Sequence, residues 1–188
     1  YDPDAAKQIL EEAGWIDTDG DGLREKDGQK LVIRWLTYPS RQELPLLAES
    51  AQATLKDIGM DVQVNCTSDS NTIRKDPTLW DVYASAMVTA PTGDPQYFFT
   101  SCALDSSVSN NGHYHSDKLE ELAAQLETEF DVDKRSELGI QMQQTILDDN
   151  AYVFCSHLRM SMIMQSNVTG LVAHPCDYYE LTADLDID

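Results

Sequence analysis

The distribution of hydrophobic and polar positions predicts a helix at the start of the chain. Asp2 is a favourable N-cap, and Pro3 suits the first helical position because its missing N–H costs nothing there. Gly14 is well placed to end the helix. The apolar stripe between them consists of Ala5, Ala6, Ile9, Leu10 and Ala13. The polar residues 15–30 that follow are rich in Gly and Asp and indicate a loop.

A strand, a helix and a second strand are predicted next. Apolar and polar residues alternate over 31–36 and over 60–67, as they do in half-buried strands. Between them, apolar residues at helical spacing predict a helix over roughly 41–58 that ends at Gly59. The short connections indicate a βαβ unit, whose strands pair in parallel with a right-handed crossover. Residues 82–88 also alternate and predict a third strand.

The second half of the chain is predicted to contain more helix and loop. Residues 89–116 indicate a loop with one aromatic turn, and helices are predicted over 119–130 and 138–146. Residues 151–156 and 160–165 alternate and predict two strands of a hairpin or a neighbouring pair. Because no repeat or low-complexity linker interrupts this order, we expect a single mixed α/β domain.

The charge of the chain excludes nucleic acid as a partner. The 188 residues carry 13 Lys and Arg against 33 Asp and Glu, a formal net charge of −20. A nucleic-acid-binding protein needs the opposite sign to neutralise phosphates, and the same repulsion disfavours anionic lipid surfaces. No apolar run approaches the length of a membrane span. The four cysteines are widely spaced, unlike a dense disulfide framework, so we expect free thiols.

An acidic loop carries the strongest local motif. Asp side chains at positions 1, 3 and 5, followed by Gly22 at position 6, match the first half of a calcium-binding loop. Gly28 stands at position 12, where such loops need a bidentate Glu. The candidate ligands of a structural Ca²⁺ are Asp17, Asp19, Asp21, the carbonyl of Leu23, and Glu25. The alternative is a solvated acidic turn that leads into a hairpin, since Asp and Gly form turns without any metal.

The histidines lie close to other potential metal ligands in three short patterns. The pairs are His113 with His115, Cys155 with His157, and His174 with Cys176. On a strand, residues at this spacing share a face and could chelate a transition metal. Because none of the pairs matches a zinc spacing such as paired C-x2-C, surface or packing roles are favoured.

No motif for catalysis is present in the sequence. It contains no G-x-S-x-G elbow, no H-E-x-x-H pair and no Gly-rich phosphate loop. Runs of Asp and Glu are expected at this net charge and are most simply solvated faces. We therefore expect that the protein is not an enzyme. The competing hypothesis of a hydrolase would require paired acids that the sequence does not reveal.

Several segments of the chain, taken in order, form a specific series. They are residues 1–7 (YDPDAAK) with the AGW at 13–15, the loop at 17–28, and the segments 48–62, 80–99 and 111–119. The series resembles the extracytoplasmic solute-binding proteins of ABC importers, in the peptide/nickel class called family 5. Asp117 and Lys118 depart from the Asn-Pro that is usual in that family.

This resemblance implies a fold and a function. Members of the family have two lobes that close on a solute without performing chemistry, and they pass the solute to an ABC permease. The chain 1–188 is similar to most of the second, C-terminal lobe, and we expect the first lobe to lie outside these residues. We therefore expect one α/β lobe of a periplasmic-binding-protein-like fold, with a mixed sheet, a βαβ unit and flanking helices. We also expect a monomer that needs no cofactor and works outside the cytoplasm, in the periplasm or anchored by lipid.

The resemblance places the ligand beside the loop that follows the third predicted strand. The expected ligand-binding residues are Thr89, Ala90, Pro91, Gly93, Asp94 and Pro95, with His113 and Tyr114 further along the chain. Backbone N–H and C=O groups of such a loop can bind a polar ligand, whereas the alternative is a plain connector. The aromatic residues 97–99 are expected to line an exposed cleft face.

Two ligand classes remain open: a metal chelate such as a nickel–metallophore complex, and a short peptide. Residues 24–29 and 38–46 resemble the nickel-type branch. In that branch aromatic residues and a His contact the chelated Ni²⁺. Here Thr89 and Gly93 stand in place of the aromatics, and His113 or His115 could substitute for the His. The alternative function is a calcium-stabilised acidic module for adhesion or interaction at the cell surface.

Overall fold

The computed structural model describes residues 1–159, 161–173 and 181–187. The chain forms two compact units, Tyr1–Met87 and Val88–Asp188. The first unit contains a parallel sheet, and the second contains a core built mainly from helices. No helix in the part of the chain that the structure describes is long and apolar enough to cross a membrane.

The first unit opens with the predicted helix, α1 (Pro3–Glu12). The Asp2 carboxylate accepts the backbone N–H of Ala5 at 3.0 Å, which confirms Asp2 as the N-cap. Gly14 then adopts a φ of +87°, a left-handed conformation that ends the helix and that glycine adopts at little cost. Within this unit the apolar stripe of α1 does not form a core, since Ile9 is 65% exposed.

A parallel three-stranded sheet follows, as predicted. β1 (Glu25–Lys26) and β2 (Gln29–Lys30) form an antiparallel hairpin ahead of it. The next elements are β3 (Val32–Thr37), α2 (Glu43–Lys56), β4 (Asp61–Cys66), the short α3 (Ser70–Ile73) and β5 (Val82–Tyr83). β3 lies in the centre and pairs in parallel with both β4 and β5. The predicted βαβ unit is therefore confirmed.

The third strand is shorter than the predicted span of 82–88. The Ala84 N–H still donates to the Leu36 carbonyl at 2.9 Å. The Ala86 N–H instead donates to the hydroxyl of Tyr38, at 3.1 Å. A side chain thus replaces the backbone acceptor that a longer ladder would need, and the strand ends.

The core of the first unit forms where α2 packs against β3 and β4. Its buried apolar residues are Leu36, Leu44, Ala48, Ile58 and Val62. Leu44 and Ala48 lie four residues apart on one face of α2, which agrees with the stripe predicted for this helix. Gly59, with a φ of +88°, reverses the chain between α2 and β4.

The second unit is built around a pair of helices. α5 (Asp117–Thr128) and α6 (Val132–Asp148) pack against each other, and both were predicted. Ahead of them, α4 (Gln96–Phe98) continues into a π-helical turn (Phe99–Ala103). The core that these elements share contains Phe99, Leu119, Leu122, Leu126, Met142 and Ile146.

The predicted aromatic turn at 97–99 is helical and only partly exposed. Tyr97 is 43% exposed, Phe98 is half-buried, and Phe99 is 1% exposed. The expectation that all three line an exposed face is therefore wrong for Phe99. The π-helical turn that begins there directs the Phe99 side chain into the core, which it shares with Leu126 and Met142.

The two strands predicted over 151–156 and 160–165 are wrong, because the described residues of both segments adopt no strand. Met160 itself lies outside the described residues. A strand needs a neighbouring backbone to bond, and side-chain contacts hold the first segment instead. The Tyr152 hydroxyl donates to the Cys102 carbonyl at 2.7 Å, and its ring stacks on Phe154.

Two short strands form later in the chain. β6 (Val168–Thr169) and β7 (Asp186–Ile187) pair antiparallel. The hydrophobic pattern does not predict them, because a strand of two residues is too short to show a period.

Candidate functional site

The first group of predicted ligand residues forms an exposed turn in the second unit, the 90–93 turn. The Gly93 N–H donates to the Ala90 carbonyl at 3.0 Å and closes this turn. Gly93 has a φ of +80°, and no atom lies within 4 Å of the place where a Cβ would stand. Pro91 is buried, whereas Thr89, Ala90 and Gly93 are exposed. The turn therefore presents backbone groups to solvent.

Asp94 and Pro95 attach the end of this turn to the rest of the unit. The Asp94 carboxylate accepts the Gln96 N–H at 2.8 Å and forms an ion pair with Arg135 of α6 at 2.8 Å. A Cβ placed on Gly139 would lie 3.0 Å from the Cβ of Pro95, so the helix and the loop are in close contact. The predicted loop residues thus lie on one anchored segment.

His113 and Tyr114 are held by other contacts than those that hold Asp94 and Pro95. The Asn110 side chain bonds both the N–H and the carbonyl of Tyr114, at 2.9 and 2.7 Å. The Tyr114 hydroxyl donates to Asp149 at 2.6 Å, and desolvation raises the pKa of this hydroxyl. His113 is exposed, with a φ of +52°. These contacts attach both residues through Asn110 and Asp149 rather than through the 90–93 turn.

His115, the other candidate nickel ligand, faces a carboxylate with each ring nitrogen. Nδ1 lies 2.9 Å from Asp105, and Nε2 lies 3.4 Å from Asp117. The hydrogen bond to Asp105 raises the pKa of His115 above its usual value. This arrangement favours a protonated ring, which has no lone pair left for a metal ion.

The other two spaced pairs form no metal site among the described residues. Cys155 and His157 lie in a segment without strand structure, so their spacing does not place them on one face. His174 and Cys176 lie outside the described residues. Cys66 and Cys155 carry free, exposed thiols, in line with the expectation from their spacing.

Within the described ranges, the acidic loop is the one place where three potential metal ligands converge. Carboxylate oxygens of Asp17, Asp19 and Asp21 lie within 4.8 Å of one another. The ammonium of Lys30, at the end of β2, lies 2.9 Å from Asp19 and 3.0 Å from Asp21. It also lies 3.1 Å from Glu25. A side-chain cation therefore stands among the carboxylates that were predicted to hold Ca²⁺.

Backbone N–H groups also donate to carboxylates of the loop. Asp17 accepts the N–H groups of Gly20 at 2.7 Å and Gly22 at 2.9 Å. Asp21 accepts the N–H of Leu23 at 2.9 Å. Leu23 thus takes part in the loop through its N–H, as a donor to a neighbouring carboxylate. These bonds are those of Asp-rich turns and need no metal.

The charges of the loop stabilise one another. The hydrogen bond from Lys30 lowers the pKa of Asp19, and hydrogen bonds from Thr18 lower the pKa of Glu25. The Asp19 carboxylate in turn raises the pKa of Lys30. The geometry is that of an internal salt cluster, and it favours the solvated acidic turn over a calcium site.

Arg24 joins three parts of the first unit, a role that no sequence pattern predicted. Its buried guanidinium donates to the carbonyls of Ile58 at 2.8 Å and Trp15 at 2.9 Å, and to the carboxylate of Glu11 at 3.0 Å. A Cβ on Gly59 would lie 2.7 Å from its Cγ. Its partners are distant in sequence, so no local sequence pattern around Arg24 could predict this role.

A cavity of about 290 Å³ lies in the second unit beside the anchored segment. Its apolar lining includes Phe99, Leu126 and Met142, and its polar lining includes Gln96 and Glu120. This volume is slightly below the range of typical small-molecule sites. The cavity depends on the π-helical turn, which the sequence pattern did not predict.

The parallel βαβ sheet, followed in sequence by a loop that exposes backbone groups, defines an α/β fold of the kind in which ligands meet the loops at the carboxyl ends of the strands. Comparison with known proteins makes the assignment specific. The chain belongs to the bacterial extracellular solute-binding proteins, family 5, and the model of that family's middle region matches residues 1–110.

Relatives in this family have been named for two kinds of ligand. The oligopeptide-binding protein AppA of Bacillus subtilis is 29% identical over 178 residues, which is 93% of this chain and 33% of AppA. The nickel-binding protein NikA of Staphylococcus aureus is 28% identical over 142 residues, which is 73% of this chain and 28% of NikA. The chain thus spans about a third of the length of these relatives.

Solved structures show the same fold. A nickel ABC transporter protein from Bacillus halodurans is similar with a TM-score of 0.69 at 30% identity, over 79% of this chain and 30% of that one. AppA in complex with a nonapeptide is similar with a TM-score of 0.67 at 26% identity, over 80% and 30% of the two chains. NikA of S. aureus with Ni(L-His)2 gives a TM-score of 0.67 at 25% identity, over 77% and 29%.

Proposed function

We propose that this chain is part of a solute-binding protein that holds a small solute between two lobes and delivers it to the permease of an ABC importer. The solute is a metal chelate, such as a nickel–metallophore complex, or a short peptide. Residues 1–188 form most of the second lobe, as one domain. The protein works outside the cytoplasm, in the periplasm or anchored by lipid, as a monomer and without catalysing a reaction.

The observation that carries this proposal is the anchored 90–93 turn in a member of this family. The turn exposes backbone groups while Asp94 and Pro95 are fixed against α6. A loop that is ordered before it meets a ligand loses less conformational entropy on binding. The proposed ligand residues are therefore Thr89, Ala90, Pro91, Gly93, Asp94 and Pro95.

His113 and Tyr114 are proposed as the second part of the ligand site. His113 is exposed, whereas the neighbouring His115 is held by Asp105. A chelated Ni²⁺ would therefore meet His113 more easily than His115. A peptide would need neither ring, since its backbone can bond the 90–93 turn directly.

The alternative of a calcium-stabilised adhesion module has no supporting observation. Its metal ligands would be the carboxylates of the acidic loop, and Lys30 already stands among them. We infer that the loop is structural and that its cation is the Lys30 ammonium.

Native mass spectrometry of the full-length protein tests the proposal. The protein is incubated with Ni(L-His)2 in one sample and with a pool of di- to pentapeptides in another. A complex with either probe, confirmed by calorimetry, supports solute binding and selects the ligand class. Retention of neither probe would refute both proposed classes.

A matched pair of variants tests the placement of the site. Ala90→Trp fills the exposed side of the 90–93 turn and is expected to weaken binding about tenfold or more, because the side chain occupies the space of the solute. Val108 is 93% exposed in the same unit, so Val108→Trp adds the same bulk elsewhere and is expected to leave the affinity unchanged. Equal affinities for the two variants would show that the 90–93 turn does not contact the ligand.

A further inference from the structure

We propose that Arg135 is the positioning residue of the ligand site: its guanidinium holds the 90–93 turn in the conformation that the solute meets. This inference rests on the proposed function, because it requires the turn to face the solute. The attachment of the turn to α6 can be measured without any ligand, so the two ideas can fail separately.

Every N–H donor of Arg135 has an acceptor. Nε and Nη2 form a two-point ion pair with Asp94, at 3.1 and 2.8 Å, and Nη2 also donates to the Gln96 side chain at 3.0 Å. Nη1 donates to the carbonyls of Leu126 at 2.6 Å and Glu129 at 2.7 Å. The Arg135 side chain is 16% exposed, so solvent weakens these charge-assisted bonds little.

The acceptors belong to two different parts of the second unit. Asp94 and Gln96 follow the 90–93 turn, whereas Leu126 and Glu129 lie at the end of α5. The last carbonyls of a helix have no partner within it and carry partial negative charge, so they attract a guanidinium. Arg135 thus ties the end of the turn to the junction of α5 and α6. A Lys is a point charge without the planar fork and cannot satisfy both sides together.

Gly139 provides a second point of attachment. It lies four residues after Arg135, and therefore on the same face of α6. A Cβ at this position would lie 3.0 Å from the Cβ of Pro95, so a larger residue would push the loop away from the helix. Arg135 and Gly139 therefore hold two consecutive residues, Asp94 and Pro95, directly after the turn.

Gly93 gives the 90–93 turn conformational freedom that this attachment restricts. Gly93 has a φ of +80°, and a glycine has more accessible conformations than any other residue. The closing bond of the turn runs from the Gly93 N–H to the Ala90 carbonyl. Fixing the residues just after it restricts the turn before a solute binds, which lowers the entropic cost of binding.

The test compares Arg135→Lys with the wild type in the full-length protein. Hydrogen exchange is measured at the Gly93 amide and at the Met142 amide, which lies in the core of the same unit. Affinity is measured for Ni(L-His)2 and for the pool of di- to pentapeptides. We expect faster exchange at Gly93, unchanged exchange at Met142, and an affinity about tenfold weaker for the probe that binds.

Arg34→Lys is the matched control. Arg34 forms a two-point ion pair with Asp81 in the first unit, at 2.9 and 2.6 Å, and also donates to the carbonyl of Thr78. The substitution thus breaks the same kind of pair without touching the 90–93 turn. Gly93 exchange and probe affinity are expected to stay at their wild-type values.

Three results would overturn the inference. In the first, Arg135→Lys changes neither Gly93 exchange nor affinity. In the second, exchange accelerates equally at Gly93 and Met142, which would show a general loss of stability. In the third, Gly93 exchange accelerates while affinity stays the same. If the wild type binds neither probe, the proposed ligand classes fail, and Gly93 exchange still decides whether Arg135 holds the turn.

Discussion

The ammonium of Lys30 lies 2.9 Å from the carboxylate of Asp19, one of the carboxylates that the sequence predicts as ligands of a calcium ion. Lys30 follows Asp19 by eleven residues, and the β1–β2 hairpin returns it to the acidic loop. The loop therefore carries its own cation as part of the fold. The ammonium also lies close to Asp21 and Glu25, so a divalent ion at these carboxylates would compete with it.

Calcium is expected to leave the thermal stability of the protein unchanged. Melting temperatures in millimolar Ca²⁺ and in EDTA should agree within about 1 °C, as measured by scanning calorimetry. Lys30→Met removes the ammonium and keeps most of the side-chain bulk. This variant should gain a calcium-dependent melting temperature, because its carboxylates then lack a cation. Calcium-dependent melting of the wild type would contradict this interpretation of the loop.

Gly59→Ala is expected to destabilise the protein more than Gly22→Ala. The two glycines have nearly the same left-handed φ, +88° and +89°, so both variants carry a similar backbone strain. A Cβ at position 59 would also lie 2.7 Å from Cγ of Arg24, whereas a Cβ at position 22 meets nothing within 4 Å.

We expect a loss of about 1 kcal/mol in the free energy of unfolding for Gly22→Ala and about 2–3 kcal/mol for Gly59→Ala. Urea denaturation at constant temperature measures both values. Similar losses in the two variants would mean that Arg24 moves aside without giving up its bonds.

Phe99 and Tyr97 are expected to differ sharply on truncation. Phe99 is 1% exposed in the core, so Phe99→Ala leaves a cavity and should cost about 3–5 kcal/mol of unfolding free energy. Tyr97 is 43% exposed, and Tyr97→Ala should cost less than about 1 kcal/mol. Urea denaturation of the two variants measures both changes in unfolding free energy. A small loss for Phe99→Ala would place the core of the second unit elsewhere.

His115 is expected to make a pH-dependent contribution to stability. The hydrogen bond to Asp105 raises the pKa of His115 above its usual 6.5, so the folded state favours the protonated ring. The contribution is therefore complete below about pH 6.5 and disappears as the pH rises through the higher folded pKa. The difference in melting temperature between wild type and His115→Gln should shrink as the pH rises above about 6.5.

Asp105→Asn is the control for this effect. It removes the carboxylate that raises the pKa and should abolish most of the pH dependence while keeping the ring. A difference between wild type and His115→Gln that stays constant with pH would show that His115 acts through packing alone.

Short-range patterns along the chain are sufficient to predict much of this fold. The N-cap at Asp2, the stop at Gly14 and the βαβ unit follow from capping, spacing and alternation, which act within a few residues. The order of the motifs is also a property of the sequence, and it indicated the family that the comparison shows. The proposed ligand residues were also chosen from the sequence, and their role in binding stays a prediction.

The folded chain settles the features that depend on partners distant in sequence. Asp94 becomes an anchor because Arg135, 41 residues later, lies beside it. The acidic loop resembles a calcium site in sequence, and Lys30 supplies its cation once the hairpin forms. The segment at 151–156 alternates like a strand and adopts none, because Tyr152 bonds to the chain near Cys102 instead. In each case the deciding contact joins groups that only folding brings together, so no local pattern can report it.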